Sequence, residues 1–94
     1  MIQVKERRTQ GGREIFFSGH AGYAPEGEDI VCAAVSILFF TLAKAVVQKG
    51  GRAFFRSGEG KIFVPEELER ELSFVRSGIS LLAEKYPDKV RVEV

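Results

Sequence analysis

A chain of 94 residues with 45% hydrophobic and 29% charged side chains is a single domain, residues 1–94, with material for one core. Its 14 basic and 13 acidic residues are mixed along the chain and leave a net charge of +1, so neither a basic stripe nor an acidic tail stands out, and no direct nucleic-acid binding is expected. The single cysteine cannot form an internal disulfide, and the segment from Met1 to Arg8 holds no apolar stretch of signal-peptide kind, so the expected compartment is the reducing cytoplasm.

Ile2 and Val4 alternate as a first strand, Gln10-Gly11-Gly12 reads as a hairpin turn, and Ile15-Phe16-Phe17-Ser18 as the return strand. The basic residues around that turn, Lys5, Arg7, Arg8 and Arg13, read as a solvated hairpin tip. Residues 19–28 contain three glycines and a proline, which predicts a loop. Asp29 is a good N-cap for a helix from Ile30 to about Gln48, which Lys49-Gly50-Gly51 ends. Arg52–Arg56 and Lys61–Val64 predict a second hairpin across Ser57-Gly58-Glu59-Gly60.

Pro65 opens a second predicted helix, with Glu66, Glu67 and Glu69 at its positive end. Leu68, Leu72, Val75, Ile79, Leu82 and Tyr86 form its apolar stripe. Pro87 stops it, and Val90, Val92 and Val94 alternate as a last strand. The order β-β-α-β-β-α-β predicts an α+β two-layer sandwich: one mixed, mainly antiparallel sheet carrying two helices.

The first helix is apolar all round. Its run from Ile30 to Ala43 is too short for a bilayer, which needs roughly 20 residues, and reads as a core helix. A helix lying on one sheet needs only one apolar stripe, so the surplus must be covered by the second helix or by another subunit; a homodimer is the expectation.

The chain's only histidine, His20, and its only cysteine, Cys32, flank the glycine-rich loop. A nitrogen base and a thiol joined by a hinge suggest a nucleophile with its general base. With Asp29 as N-cap, Cys32 falls in the first helical turn, where free N–H groups and the helix dipole favour a thiolate and would hold an oxyanion. Each residue also has a plainer reading. Cys32 alone is a small buried hydrophobe, and His20 a strand-end surface residue. Asp29 either caps the helix or orients His20. Ser36, one turn beyond Cys32, either bonds the backbone or contacts the thiol or substrate. Gly19, Gly22 and Gly27 permit tight backbone turns, or with Tyr23 let the loop close over a peptide. One Cys and one His are too few for a structural zinc, so no metal and no cofactor is expected. Gly58-Glu59-Gly60-Lys61 lacks the context of a phosphate loop.

The string Gly19-His20-Ala21-Gly22-Tyr23-Ala24, then Gly27, then Asp29-Ile30-Val31-Cys32-Ala33-Ala34-Val35-Ser36 resembles the signature of the bacterial ribosomal-processing cysteine protease family, Prp. The likeness extends over essentially the whole chain, including Tyr86-Pro87 before the closing strand. It implies a cytoplasmic homodimeric endopeptidase that removes a short N-terminal extension from large-subunit ribosomal protein twenty-seven, cutting after hydrophobic residues. On that pattern Cys32 is the nucleophile, His20 the base, Asp29 and Ser36 have supporting roles, and the loop between His20 and Asp29 closes on the peptide. A different class, a non-enzymatic ribosome-associated dimer that binds protein or RNA and has a buried structural Cys32, stands as the alternative, with the basic residues of the first hairpin as its mild support. A thiol redox module would want a second, resolving cysteine.

Overall fold

The computed structural model describes residues 1–19, 26–56 and 58–93. Five strands form one sheet: β1 (Ile2–Thr9), β2 (Gly12–Ser18), β3 (Arg52–Arg56), β4 (Glu59–Pro65) and β5 (Val90–Glu93). Helix α1 (Glu26–Gln48) joins β2 to β3, and helix α2 (Glu69–Lys85) joins β4 to β5. The strand order is β3-β4-β2-β1-β5; every neighbouring pair is antiparallel except β1 with β5. This is the α+β two-layer architecture expected from the order of elements.

Strand alternation makes the core one-sided. Ile2, Val4, Ile15, Ile62, Val64 and Val90 are buried beneath the helices, whereas their neighbours along the strands point to the opposite face. From α1 the core takes Val31, Val35, Phe39, Leu42 and Val46, and from α2 Leu72, Val75 and Ile79. The helices meet closely at Gly78, where a Cβ would sit 3.0 Å from both methyl carbons of Leu38. These residues at i, i+3 and i+4 are the stripe each helix must bury.

The C-terminus of α1 is closed by backbone hydrogen bonds: the N–H of Gly51 donates to the carbonyl of Val46 at 2.9 Å, with Gly50 at φ 84°. Its N-terminus lies upstream of the prediction. The helix begins at Glu26, so Asp29 is its fourth residue and not its N-cap, and Gly27 is helical, outside any loop.

Two further differences have local causes. Pro65 ends β4, and Glu66–Leu68 form a 3-10 turn before α2 starts at Glu69, because the N–H of Glu66 is held by the carbonyl of Gly11 in the β1–β2 turn. Val92 shares its face with Val90 but is 37% exposed, since β5 is an edge strand and Val92 lines an open groove with Ile79 and Ala83 of α2. Val94 lies outside the described residues.

The apolar length of α1, 19 residues from Ile30 to Gln48, suffices by length and composition to cross a membrane, longer than the run to Ala43 read from sequence because Ala45, Val46 and Val47 continue it past Lys44. In this fold one face of that helix is packed on the sheet, as a core helix is.

Candidate active site

Strand β2 delivers the chain to the site at Gly19. This glycine has φ 97°, a left-handed conformation, and a Cβ here would run into the carbonyl oxygen of Met1. Its N–H donates to the carbonyl of Gly58 at 2.9 Å, which ties the exit of β2 to the β3–β4 hairpin. The residue that follows is His20. It lies outside the described residues, together with Gly22 and Tyr23, and the side chain of Asp29 is likewise not described.

Cys32 stands on α1 as a free, half-buried thiol packed against the core. Because α1 begins at Glu26, Cys32 is its seventh residue, in the second turn. The expected placement among the first-turn N–H groups is therefore corrected: those donors belong to residues earlier in the helix, and N–H groups of the second turn are occupied within it. Ser36 is four positions on, half-buried and on the same helical face. So Gly19, Cys32 and Ser36 are placed, while the pairing of Cys32 with His20 and Asp29 lies beyond the described side chains. Among the described residues, no group of three or more His, Cys, Asp or Glu is arranged to hold a metal ion.

Sequence reading missed an aromatic cluster that continues from this face. Phe17 of β2 packs on Phe39 of α1 with ring centroids 4.3 Å apart, and on Phe55 of β3 at 6.0 Å. Phe55 in turn meets Phe40 at 4.8 Å, and Phe40 is 51% exposed. Gly60 makes room for it, since a Cβ there would lie 2.6 Å from the rings of both Phe17 and Phe55. Phe40 follows Cys32 by two helical turns, roughly 12 Å along the axis. The signal was present as two Phe-Phe pairs in separate strands and one in the helix, but only the strand register brings them together.

The profile of the family described as "Cysteine protease Prp" matches residues 1–91 of the chain. The chain belongs to the cysteine protease Prp family. Its fold matches SMU.848 from Streptococcus mutans with a TM-score of 0.79 and 32% identity, covering 99% of this chain and 92% of that one. It also matches the essential ribosomal processing protease Prp from S. aureus in complex with a substrate peptide, with a TM-score of 0.81 and 22% identity over 99% of this chain and 98% of the other. The same S. aureus protease with a covalently linked product peptide gives a TM-score of 0.78 at 23% identity, again over 99% and 98%. No curated protein sequence matches. As a Prp member, the protein is a cysteine protease, and Cys32 is its only cysteine.

Proposed function

We propose that the protein is the endopeptidase that removes an N-terminal extension from large-subunit ribosomal protein twenty-seven, with Cys32 as nucleophile and His20 as general base. The observation carrying this reading is the family match over residues 1–91, which spans both residues, in a chain with one thiol to offer. His20 takes the thiol proton as Cys32 Sγ attacks the scissile carbonyl carbon. The C–N bond then breaks, His20 returns the proton to the leaving amine, and a thioester remains. Water, deprotonated by His20, hydrolyses the thioester and frees the thiol. The S. aureus relative carries a covalently linked product peptide, the kind of species this route forms.

Asp29, inside the first turn of α1, orients His20 in this scheme, and Ser36 contacts the thiol or substrate beside Cys32. Gly19, with Gly22 and Tyr23, forms the segment that closes over the peptide. The Phe40–Phe55 shelf receives an apolar side chain of the substrate a few residues from the cut, matching a preference for hydrophobic sequences. The protease works as a homodimer in the cytoplasm. Ile37 at 62% exposed and Phe74 at 79% exposed leave an apolar strip over the outer surfaces of α1 and α2 that a second copy would cover.

Cys32 also packs against the core, so its catalytic role is tested against a purely structural one. Incubation of the protein and its Cys32→Ala variant with the extended ribosomal protein, followed by mass spectrometry, separates the two. The protease reading requires one cut after a hydrophobic residue, lost in the variant; cleavage by Cys32→Ala at the wild-type rate overturns it.

A further inference from the structure

Both helices lie on one face of the sheet, and no other element among the described residues covers the opposite face. There the register sets Phe54, Lys61, Phe16, Lys5 and Glu93 side by side across the five strands. The adjoining row is Arg52, Phe63, Glu14 and Arg7, and Arg56 and Arg91 stand at the two edges of the next. We propose that this aromatic and basic face binds single-stranded nucleic acid.

Charge is the first support. The face gathers six cations, Lys5, Arg7, Arg52, Arg56, Lys61 and Arg91, against three carboxylates, Glu14, Glu59 and Glu93, although the whole chain is nearly neutral. Each carboxylate is already engaged: Glu14 by Arg7 and Lys61, Glu59 by Arg56, and Glu93 by Lys5. Arg52 and Arg91 make no ion pair among the described residues, so the surplus is positive. The even mixing of charge along the chain conceals this, because the two-residue period of a strand sorts alternate residues onto one face. Composition and charge order along the chain therefore give no sign of a basic face.

The rings are the second support. A solvated sheet face ordinarily carries polar residues. Here Phe54 is 62% exposed, with Phe16 and Phe63 half-buried beside it. Phe63 lies diagonally from both other rings, about 7–8 Å away, and Phe16 is two strand spacings from Phe54, about 9.5 Å. Concavities of about 660 and 480 Å³ flank Phe54, one reaching Phe63 and Arg52, the other Phe16, Arg7 and Arg56. Rings set between cations offer a stacking surface to bases and a neutralising one to phosphates, with no demand for a particular sequence. A second copy of the chain is a poorer occupant, because two-fold pairing of this face would oppose one positive surplus to another.

The test is fluorescence anisotropy with a labelled uridine decamer, and with the thymidine decamer to distinguish RNA from DNA as the source of the strand. Saturable binding at about 50 mM salt that weakens steeply by about 300 mM is expected. Phe54→Ala should weaken it about tenfold, and Arg52→Glu with Arg56→Glu should weaken it further and flatten the salt dependence. Circular dichroism and retained peptide cleavage would show both variants folded, since these side chains face away from Cys32. Absence of saturable binding at low salt, unchanged affinity in Phe54→Ala, or equally tight binding of a polyglutamate peptide would overturn the proposal. So would conversion of a dimer to monomer by Phe54→Ala, which would make the face a contact between copies.

Discussion

Arg76 holds the carboxylate of Glu6 at two points: its Nε donates to Oε2 at 2.8 Å and its Nη2 to Oε1 at 2.7 Å. Arg13 adds a third hydrogen bond, Nε to Oε1 at 3.0 Å. Glu6 is only 8% exposed and lies on the inner face of β1, so α2 is fastened to the sheet by a buried charge fully surrounded by donors. The hydrogen bonds from Arg76 hold the Glu6 carboxyl below its ordinary value of 4.5, against the opposing effect of burial.

The sign of the pH dependence follows. A carboxyl with a lowered native pKa contributes stability that is complete above 4.5 and is lost as pH falls through the lower native value. Urea melts taken between neutral and strongly acidic pH should show that loss in the wild type and a smaller one in Glu6→Gln. Arg76→Ala should cost about 2 kcal/mol at neutral pH, below the loss of a fully buried pair because the Arg76 side chain is 37% exposed.

Gly19→Ala should be among the more damaging single-methyl changes. The left-handed φ of 97° and the nearby Met1 carbonyl oppose any Cβ at once. A cost on the order of 2 kcal/mol would lower Tm by on the order of 10 °C in a domain of this size. A melting temperature within a degree of wild type would show that the β2 exit relaxes freely.

His20→Ala and Cys32→Ala should each abolish cleavage while leaving the fold intact by circular dichroism. Asp29→Asn should lower kcat less than either. Because Asp29 is inside the first turn of α1 and not at its cap, that variant should melt near wild type. A marked fall in Tm with unaltered kcat would return Asp29 to a purely structural role.

Phe40→Ala should raise KM for peptides with a large apolar residue near the cut and change kcat little, since it removes one wall of the shelf that Phe55 completes. Equal loss on peptides with polar residues at that position would disconnect the shelf from specificity.

Phe74→Glu should yield a monomer in sedimentation equilibrium without unfolding, because the ring is 79% exposed in the single chain. A dimer that persists in this variant would locate the contact away from the outer surface of α2.

Where the chain carries strong local punctuation, the fold was legible from residues alone. Gly50 and Gly51 stop α1 at Gln48 because they supply the positive φ and the hydrogen bonds that close a helix. The pattern Arg52–Arg56, bounded by glycine and serine, is β3 without adjustment. The glycine and proline content of residues 19–28 points to a loop, yet the backbone is already helical at Glu26–Asp29. Pro65 shows the reverse problem: its fixed φ suits a helix start, a 3-10 turn or a strand end, and only the contact with Gly11 decides. The Gly19-His20 and Cys32–Ser36 motif was legible as chemistry, since the residue types announce it. The aromatic shelf and the face opposite the helices were not, because pairing β2 with β4 in place of β3 is a long-range choice that no local pattern encodes.

The parallel pairing of β1 with β5 has a bearing on synthesis. Ile2 donates its N–H to the carbonyl of Lys89, and the register joins Ile2 to Val90. Because β1 precedes β5 in the chain, one edge of β1 stays unpaired until β5 has been made, and the Ile2–Val90 pairing forms only then. Four strands can thus pair through β1-β2-β4-β3 before β5 is made, and the parallel edge is the last part of the sheet to close.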